Sequence, residues 1–340
     1  MDQKQRQHAV LAAVIEAYVH TGEPVGSKAL ASALGNTVSS ATIRNDMADL
    51  AAQGYLEQPH TSAGRIPTGK AYRLYIDRLM KRHPISADKR RQIDGIAQTL
   101  AADPGRFTEN LAQALAFFTG CAALSSGPER ASAVIRRIEL LRINPQAAVL
   151  VLITDTGLVQ NRLCRFEAPV SDELLTNIVS VLSGAFAGKP LEAADLPCIQ
   201  SLFGAFGGDA LLCMPALTAF AETVEDCARA DIALSGQMNL LQYPDFEKQR
   251  AQQLMHFLSQ RGQLAQMLAA HPARLQVLLG SESRLPQLQG SSVILTRYRA
   301  GDGAGGTFGV IGPQRMDYAT TIPQLEYFAS VIGRVMADWM

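Results

Sequence analysis

The sequence predicts a multidomain α+β protein that opens with a winged helix-turn-helix. Three observations carry this reading. Two short capped helical patterns and a hairpin with a basic tip fall between Gly26 and Thr68. Helix and strand patterns recur on both sides of a differently textured stretch, as expected of an α+β body interrupted by an insertion. The charge is polarised: Lys plus Arg and Asp plus Glu both number 31, yet residues 1–91 hold 13 basic and 8 acidic side chains (+5), leaving 18 and 23 (−5) in the rest. At 340 residues the chain exceeds the roughly 250–300 beyond which one core usually splits.

The first amphipathic pattern places Val10, Leu11, Val14, Ile15 and Tyr18 on one face. Ser27 then opens a short helix with Leu30 and Leu34 inward, ended by Gly35-Asn36. Ser39 or Ser40 opens the next, where Ile43, Met47 and Leu50 share the core face and Thr42, Arg44 and Asn45 point outward. The start of such a helix suits a nucleic-acid groove. Its free N–H groups and positive dipole end dock a phosphate, and short polar side chains let the backbone approach base edges. Arg44 has the fork for a bidentate contact to guanine, and Asn45 reaches adenine or a phosphate. Gly54 stops the helix, and residues 55–58 and 65–67 read as two strands around the tip 59–64, which presents His60 and Arg65. Between Glu57 and Arg82 six cations (Arg65, Lys70, Arg73, Arg78, Lys81, Arg82) face two acids (Glu57, Asp77), a field that favours phosphate.

Thr68 caps a helix expected to reach Arg82, with Tyr72, Tyr75, Ile76 and Leu79 as its apolar stripe; His83-Pro84 ends it. A polar connector helix over 86–102 stops at Asp103-Pro104-Gly105. Beyond it the patterns predict a helix at 107–119 and strands at 133–142, 147–154 and 158–166, joined by Asn144-Pro145 and Asp155-Thr156-Gly157. A helix follows at 171–186, broken by Gly188-Lys189-Pro190, then short helices and Gly-rich joints to Tyr243. Helices at 246–258 and 262–270, strands at 292–298 and 307–311, and a closing helix at 317–339 complete the chain.

Other chemistries find little footing. Cys121, Cys164, Cys198, Cys213 and Cys227 lack a C-x-x-C pair and are expected as buried free thiols. The six histidines show no metal-ligand spacing, so no metal and no cofactor is assigned. Gly301-Asp302-Gly303-Ala304-Gly305-Gly306 fits G-x-G-x-x-G, but a strand rather than a helix is expected after it, which makes it a hairpin loop instead of a dinucleotide cradle. Asp317 is placed as a helix cap with Arg315 as its neighbour. With no nucleophile–base pair and no P-loop, the chain is not expected to be an enzyme. The longest apolar run, residues 147–153, is seven residues, against the roughly 20 that span a bilayer, and the N-terminus lacks a signal pattern; a cytoplasmic location is expected.

A family resemblance enters on specific residues. The run from Tyr18 through Gly22, Pro24 and Ser27 to Lys28, the run Ser39 to Met47 with Thr42, Arg44 and Asn45, and the run Gly54 to Thr68 with His60, Gly64 and Arg65 resemble the N-terminal signature of the HrcA heat-inducible transcription repressors. Gly236-Gln237-Met238-Asn239-Leu240-Leu241 and the run Gly309 to Tyr318 resemble the family's central and C-terminal motifs. The resemblance implies a GAF-like α+β domain with an inserted dimerisation domain. The expected boundaries are 1–82 for the winged helix-turn-helix, 83–104 for a helical linker, 105–187 with 244–340 for the GAF-like domain, and 188–243 for the insertion. It also implies a repressor of chaperone operons that binds an inverted-repeat operator in double-stranded DNA as a homodimer and relies on a GroEL-type chaperonin. The candidate DNA-contacting residues are Lys28, Ser39, Ser40, Thr42, Arg44, Asn45, His60, Arg65, Lys70 and Arg73, with Lys70 and Arg73 as phosphate contacts. An alternative is a small-molecule-responsive regulator with the GAF-like domain as its sensor. A third reading, an enzyme with an appended DNA-binding head, rests on the glycine run alone.

Overall fold

The computed structural model describes residues 2–35, 38–60, 63–102, 106–127, 133–155, 157–228, 231–269, 274–283, 285–300 and 304–337. The chain forms two compact units, Met1–Gly127 with Ile232–Met340, and Pro128–Asp231.

The first unit begins with α1 (Gln3–Thr21), whose Val10, Leu11, Val14 and Ile15 are buried and whose end is closed by Gly22 in the left-handed conformation, its N–H donating to Tyr18 O at 2.8 Å. Helices α2 (Ser27–Ala33) and α3 (Ser40–Ala52) follow, then the two-residue strands β1 (Leu56–Glu57) and β2 (Ile66–Pro67), paired antiparallel. Thr68 caps α4 (Gly69–Leu74), which widens into a π turn over Tyr75–Leu79 and stops at Met80, so the helix expected to reach Arg82 is shorter. Next come α5 (Ala87–Ala102), α6 (Phe107–Thr119) and β3 (Ala122–Ser126). The stop expected at Asp103-Pro104-Gly105 and the helix end at Asn36 lie outside the described residues.

The chain then builds the second unit. Strands β4 (Ile135–Asn144), β5 (Ala147–Thr154) and β6 (Val159–Arg165) form an antiparallel meander, followed by α7 (Asp172–Phe186), α8 (Leu196–Ser201) and α9 (Ala210–Ala228). Ile138, Leu150 and Leu152 on one sheet face join Ile178, Leu182, Phe186 and Phe220 in a separate core, with the last two rings stacked at 5.3 Å. The other face carries Leu141, Val159 and Leu163, which are 53, 54 and 45% exposed. They surround half-buried Val149, Val151 and Ile153.

On its return the chain supplies β7 (Ile232–Ser235), α10 (Lys248–Ser259), α11 (Arg261–Ala269), β8 (Leu275–Leu279), β9 (Ser291–Ala300), β10 (Ala304–Pro313) and α12 (Tyr318–Ala337). Five of the strands of this unit form one antiparallel sheet in the order β7-β3-β10-β9-β8. Period-2 alternation buries both faces: Ile294, Tyr298, Phe308 and Val310 in the core shared with α5, α6 and α12, and Val293, Leu295 and Ile311 against α10 and α11. Ser126 at the end of β3 pairs with Ile232 at the start of β7, so the second unit leaves and re-enters at neighbouring strands.

Several expectations change. The interrupting unit is residues 128–231 rather than 188–243, because the strands expected at 133–166 pair with one another and not with the five-stranded sheet; Ile135 N donates to Lys189 O at 2.9 Å, tying the meander to the segment after α7. The 83–104 segment is no free linker. Ile93, Ala97 and Leu100 of α5 are buried in the main core, and Tyr327 of α12 donates to Asp94 at 3.0 Å. The short helices expected up to Tyr243 include the 19-residue α9. The helical run Leu196–Ala228 is long and apolar enough to cross a membrane by length and composition, which the seven-residue limit on uninterrupted apolar runs did not register. Here Gly207 kinks it, and α9 turns Cys213, Leu217, Phe220 and Val224 into the core of its unit.

The glycine run is explained by backbone approach. Gly305 and Gly306 lie in β10, where an added Cβ would fall 2.3 Å from Tyr298 O and 2.4 Å from Ser126 O respectively. Residues 301–303 lie outside the described residues. Asp317 accepts from Thr320 N at 3.1 Å, capping α12.

Cys121, Cys164, Cys213 and Cys227 are buried but Cys198 is exposed, which corrects the expectation of five buried thiols. Burial pushes the Cys121, Cys164 and Cys213 thiols up to about 11, so they stay protonated and poorly nucleophilic near neutral pH. Titration of the native protein with a maleimide at neutral pH is expected to show one fast thiol, and five after denaturation.

Candidate nucleic-acid interface

The candidate face is built from α2, α3 and the wing. Ser39 caps α3 by accepting from Thr42 N at 3.1 Å, and its hydroxyl lies 2.9 Å from that of Thr42. Ser40 turns toward α2, where its Oγ meets Ser27 Oγ at 3.1 Å, so this hydroxyl joins the two helices. The 3.6-residue period buries Ile43, Met47 and Leu50 and leaves Arg44 and Asn45 exposed and Thr42 half-buried. Lys28 is exposed on α2.

Behind this face lies a contact that sequence reasoning missed. Asp46, next along the helix from Asn45, is buried and receives Arg6 of α1 through two bonds, Nε to Oδ2 at 2.8 Å and Nη2 to Oδ1 at 3.1 Å. The planar fork fixes both the distance and the rotation of α3 against α1. Gln7 adds a bond to Asp49 at 3.1 Å one turn on. Asp46 reads as one more polar residue of the outward run; only the i, i+3 step from Ile43 toward the buried side hinted otherwise.

The wing is zipped to the segment before α2. Val25 and Arg65 exchange two backbone bonds at 2.9 Å. Gly64 is required there, since an added Cβ would lie 2.5 Å from Val25 backbone atoms. His60 is exposed and Arg65 half-buried at this hairpin, and Gln58 donates to Ala63 O at 3.1 Å across it. Thr61 and Ser62 of the tip lie outside the described residues.

Two of the expected phosphate contacts have other engagements. Lys70, though exposed, donates to Gln53 O at 2.9 Å and lies 4.5 Å above the Tyr55 ring, closing the C-terminal end of α3 where the helix dipole favours a cation. Arg73 is turned toward the α+β body: its Nε donates to Glu282 Oε1 at 2.9 Å and its Nη2 to Val277 O at 2.8 Å. Arg82 likewise pairs with Glu326 at 2.7 Å. The cation surplus between Glu57 and Arg82 is therefore partly neutralised by acids of the α+β body, and the part left for phosphate is smaller than the sequence count.

A capped helix with exposed Arg44 and Asn45, backed by a half-buried ion pair and flanked by a wing, defines a winged-helix DNA-binding protein. Residues 3–79 match the family described as "Winged helix-turn-helix transcription repressor, HrcA DNA-binding", and residues 106–322 match "HrcA protein C terminal domain". The chain belongs to the HrcA family. Relatives named "Heat-inducible transcription repressor HrcA" include those of Acetivibrio thermocellus (30% identical, covering 96% of this chain and 94% of the relative), Geobacter sulfurreducens (33%, 98% and 98%) and Frankia casuarinae (36%, 98% and 98%). The role in those names is non-enzymatic. A solved structure of a hypothetical protein, 23% identical over 98% of this chain and 99% of its own, shares the fold with a TM-score of 0.62.

Removing Arg6 strands a buried carboxylate, whereas neutralising both partners does not. Arg6→Ala is expected to lower the melting temperature, and Arg6→Ala/Asp46→Asn to regain part of the loss; thermal melts of the two variants check this.

Proposed function

We propose that the chain is a sequence-specific repressor of chaperone operons that binds an inverted-repeat operator as a homodimer. The single observation carrying this reading is the exposure of Arg44 and Asn45 on the helix capped by Ser39, where a guanidinium fork and an amide stand ready for base edges. Lys28, Thr42, His60 and Arg65 flank them as the remaining contacts to bases or phosphate. Ser40 and Lys70 contribute by holding α3, and any phosphate contact of Lys70 is added to that role. A cytoplasmic setting goes with this activity.

Two copies are needed for energetic reasons. One recognition helix reads only a few base pairs, whereas two heads held roughly one helical turn (34–36 Å) or a multiple apart read a palindrome and combine their binding energies. The apolar outer face of the β4-β5-β6 sheet, with Leu141, Val159 and Leu163 about half exposed, supports self-association through the inserted unit. Exposed apolar side chains elsewhere, among them Phe117 and Met238 at 84 and 70%, support engagement by a GroEL-type chaperonin, which holds proteins through such surface.

A gel-shift titration against a chaperone-operon promoter tests the reading. Arg44→Ala is expected to cost about 1–3 kcal/mol on the operator and to relax one base position. Unchanged affinity and specificity would remove α3 as the reading helix. Leu163→Glu puts a charge on the outer sheet face. It is expected to give a monomer by analytical ultracentrifugation, with operator affinity reduced to that of a single half-site; a dimer that persists would move the self-association surface elsewhere.

A further inference from the structure

The head meets the α+β body of its own unit along a seam with both apolar and ionic parts. Tyr72 of α4 packs 6.0 Å from Tyr318 of α12, and the buried residues of the head belong to the same core as those of α5, α6 and α12. Apolar contact is non-directional and tolerates rotation. The ionic contacts do not.

Arg315 is the most enclosed of them, with its side chain 14% exposed and that of its partner Asp245 21%. Its Nε donates to both Asp245 oxygens at 2.9 and 2.8 Å, and its Nη1 reaches Val19 O, in the last turn of α1, at 3.2 Å. A guanidinium belongs at this helix end, where unpaired carbonyls carry partial negative charge. An added Cβ on Gly22 would sit 3.1 Å from Arg315 Cζ, so the close approach uses the glycine that also ends α1. Arg73 makes the second contact, from α4 to Glu282 and Val277, and Arg82 the third, to Glu326 of α12. Three separated, directional contacts fix an orientation where one would leave a pivot.

We propose that Arg315, Arg73 and Arg82 are positioning residues that lock the head to the body at one angle and thereby set which half-site spacing the dimer accepts. The proposal rests on the homodimeric operator reading above and goes beyond it: the specificity concerned is the distance between the two half-sites, not the bases within either one. Each added base pair turns one half-site by roughly 35° and moves it about 3.4 Å. A rigid pair of heads then loses simultaneous engagement, and with it about 100-fold or more in affinity, whereas heads that pivot follow the half-site.

The test measures operator affinity for a series of inverted repeats whose spacing is changed by one and two base pairs in each direction. It compares the full-length protein with Glu282→Gln and with Arg315→Lys. The first takes the charge from the partly exposed partner of Arg73 and leaves Arg73 its bonds to Val277 O and Asp77, and the second keeps the charge but loses the fork. The wild type is expected to lose about 100-fold on the altered spacings and the variants less than about tenfold, while binding of an isolated half-site stays unchanged. A merely stabilising role would lower melting temperature without flattening the spacing profile. A steep wild-type profile retained by both variants would overturn this proposal alone. A wild type indifferent to spacing would overturn it together with the dimeric reading beneath it. Glu282→Gln also separates positioning from DNA contact: tighter binding with a steeper salt dependence would mean that Arg73, once released, binds phosphate and is no positioning residue.

Discussion

A winged-helix head of about eighty residues has a high ratio of surface to volume and buries too little apolar area to be more than marginally stable by itself. In this chain the shortage is met by continuity. Val10, Leu11, Val14 and Ile15 of α1, Ile43, Met47 and Leu50 of α3, and Tyr72 and Tyr75 beyond the wing run without a break into a core that also contains Ile93 of α5, Leu111 of α6, Tyr298 of β9 and Phe328 of α12. The head is thus a lobe of the larger unit. Within that lobe, helix α3 is tied to α1 by the Arg6–Asp46 pair.

How much of this was legible in the sequence depended on the range of the interactions. Helix α6 was expected at 107–119 and occupies Phe107–Thr119, because its amphipathic period and Gly120 act locally. Strand β3 was missed: Ala122–Ser126 is buried at every position and built from small residues, so it shows no alternation to read. The edge strands β7 and β8, of four and five residues, are too short to display a period. Strands β4 to β6 were found but placed with the GAF-like domain, whereas they form a sheet of their own in the unit of residues 128–231. Period-2 patterning reports which way side chains point, not which strand lies alongside.

The candidate interface divides in the same way. The exposure of Arg44 and Asn45 follows from the 3.6-residue period. The burial of Asp46 depends on an arginine forty residues earlier, and the roles of Arg73 and Arg315 depend on partners in distant segments. Counting charges along the chain made Arg73 a phosphate contact; the fold shows that a cation in a basic segment can serve an acid of the neighbouring body instead. Arg315 beside the α12 cap looked like a local feature and proved to bridge α1 and the Asp245 loop.

The antiparallel partnership of Ser126 with Ile232 bears on how the molecule responds to heat. For the five-stranded sheet, everything between those two residues amounts to an oversized hairpin connection whose ends are already pinned side by side. Melting of that excursion therefore leaves the ladder register beyond it undisturbed. The excursion has a core of its own, so its loss and its recovery on cooling concern one module and not the entire polypeptide.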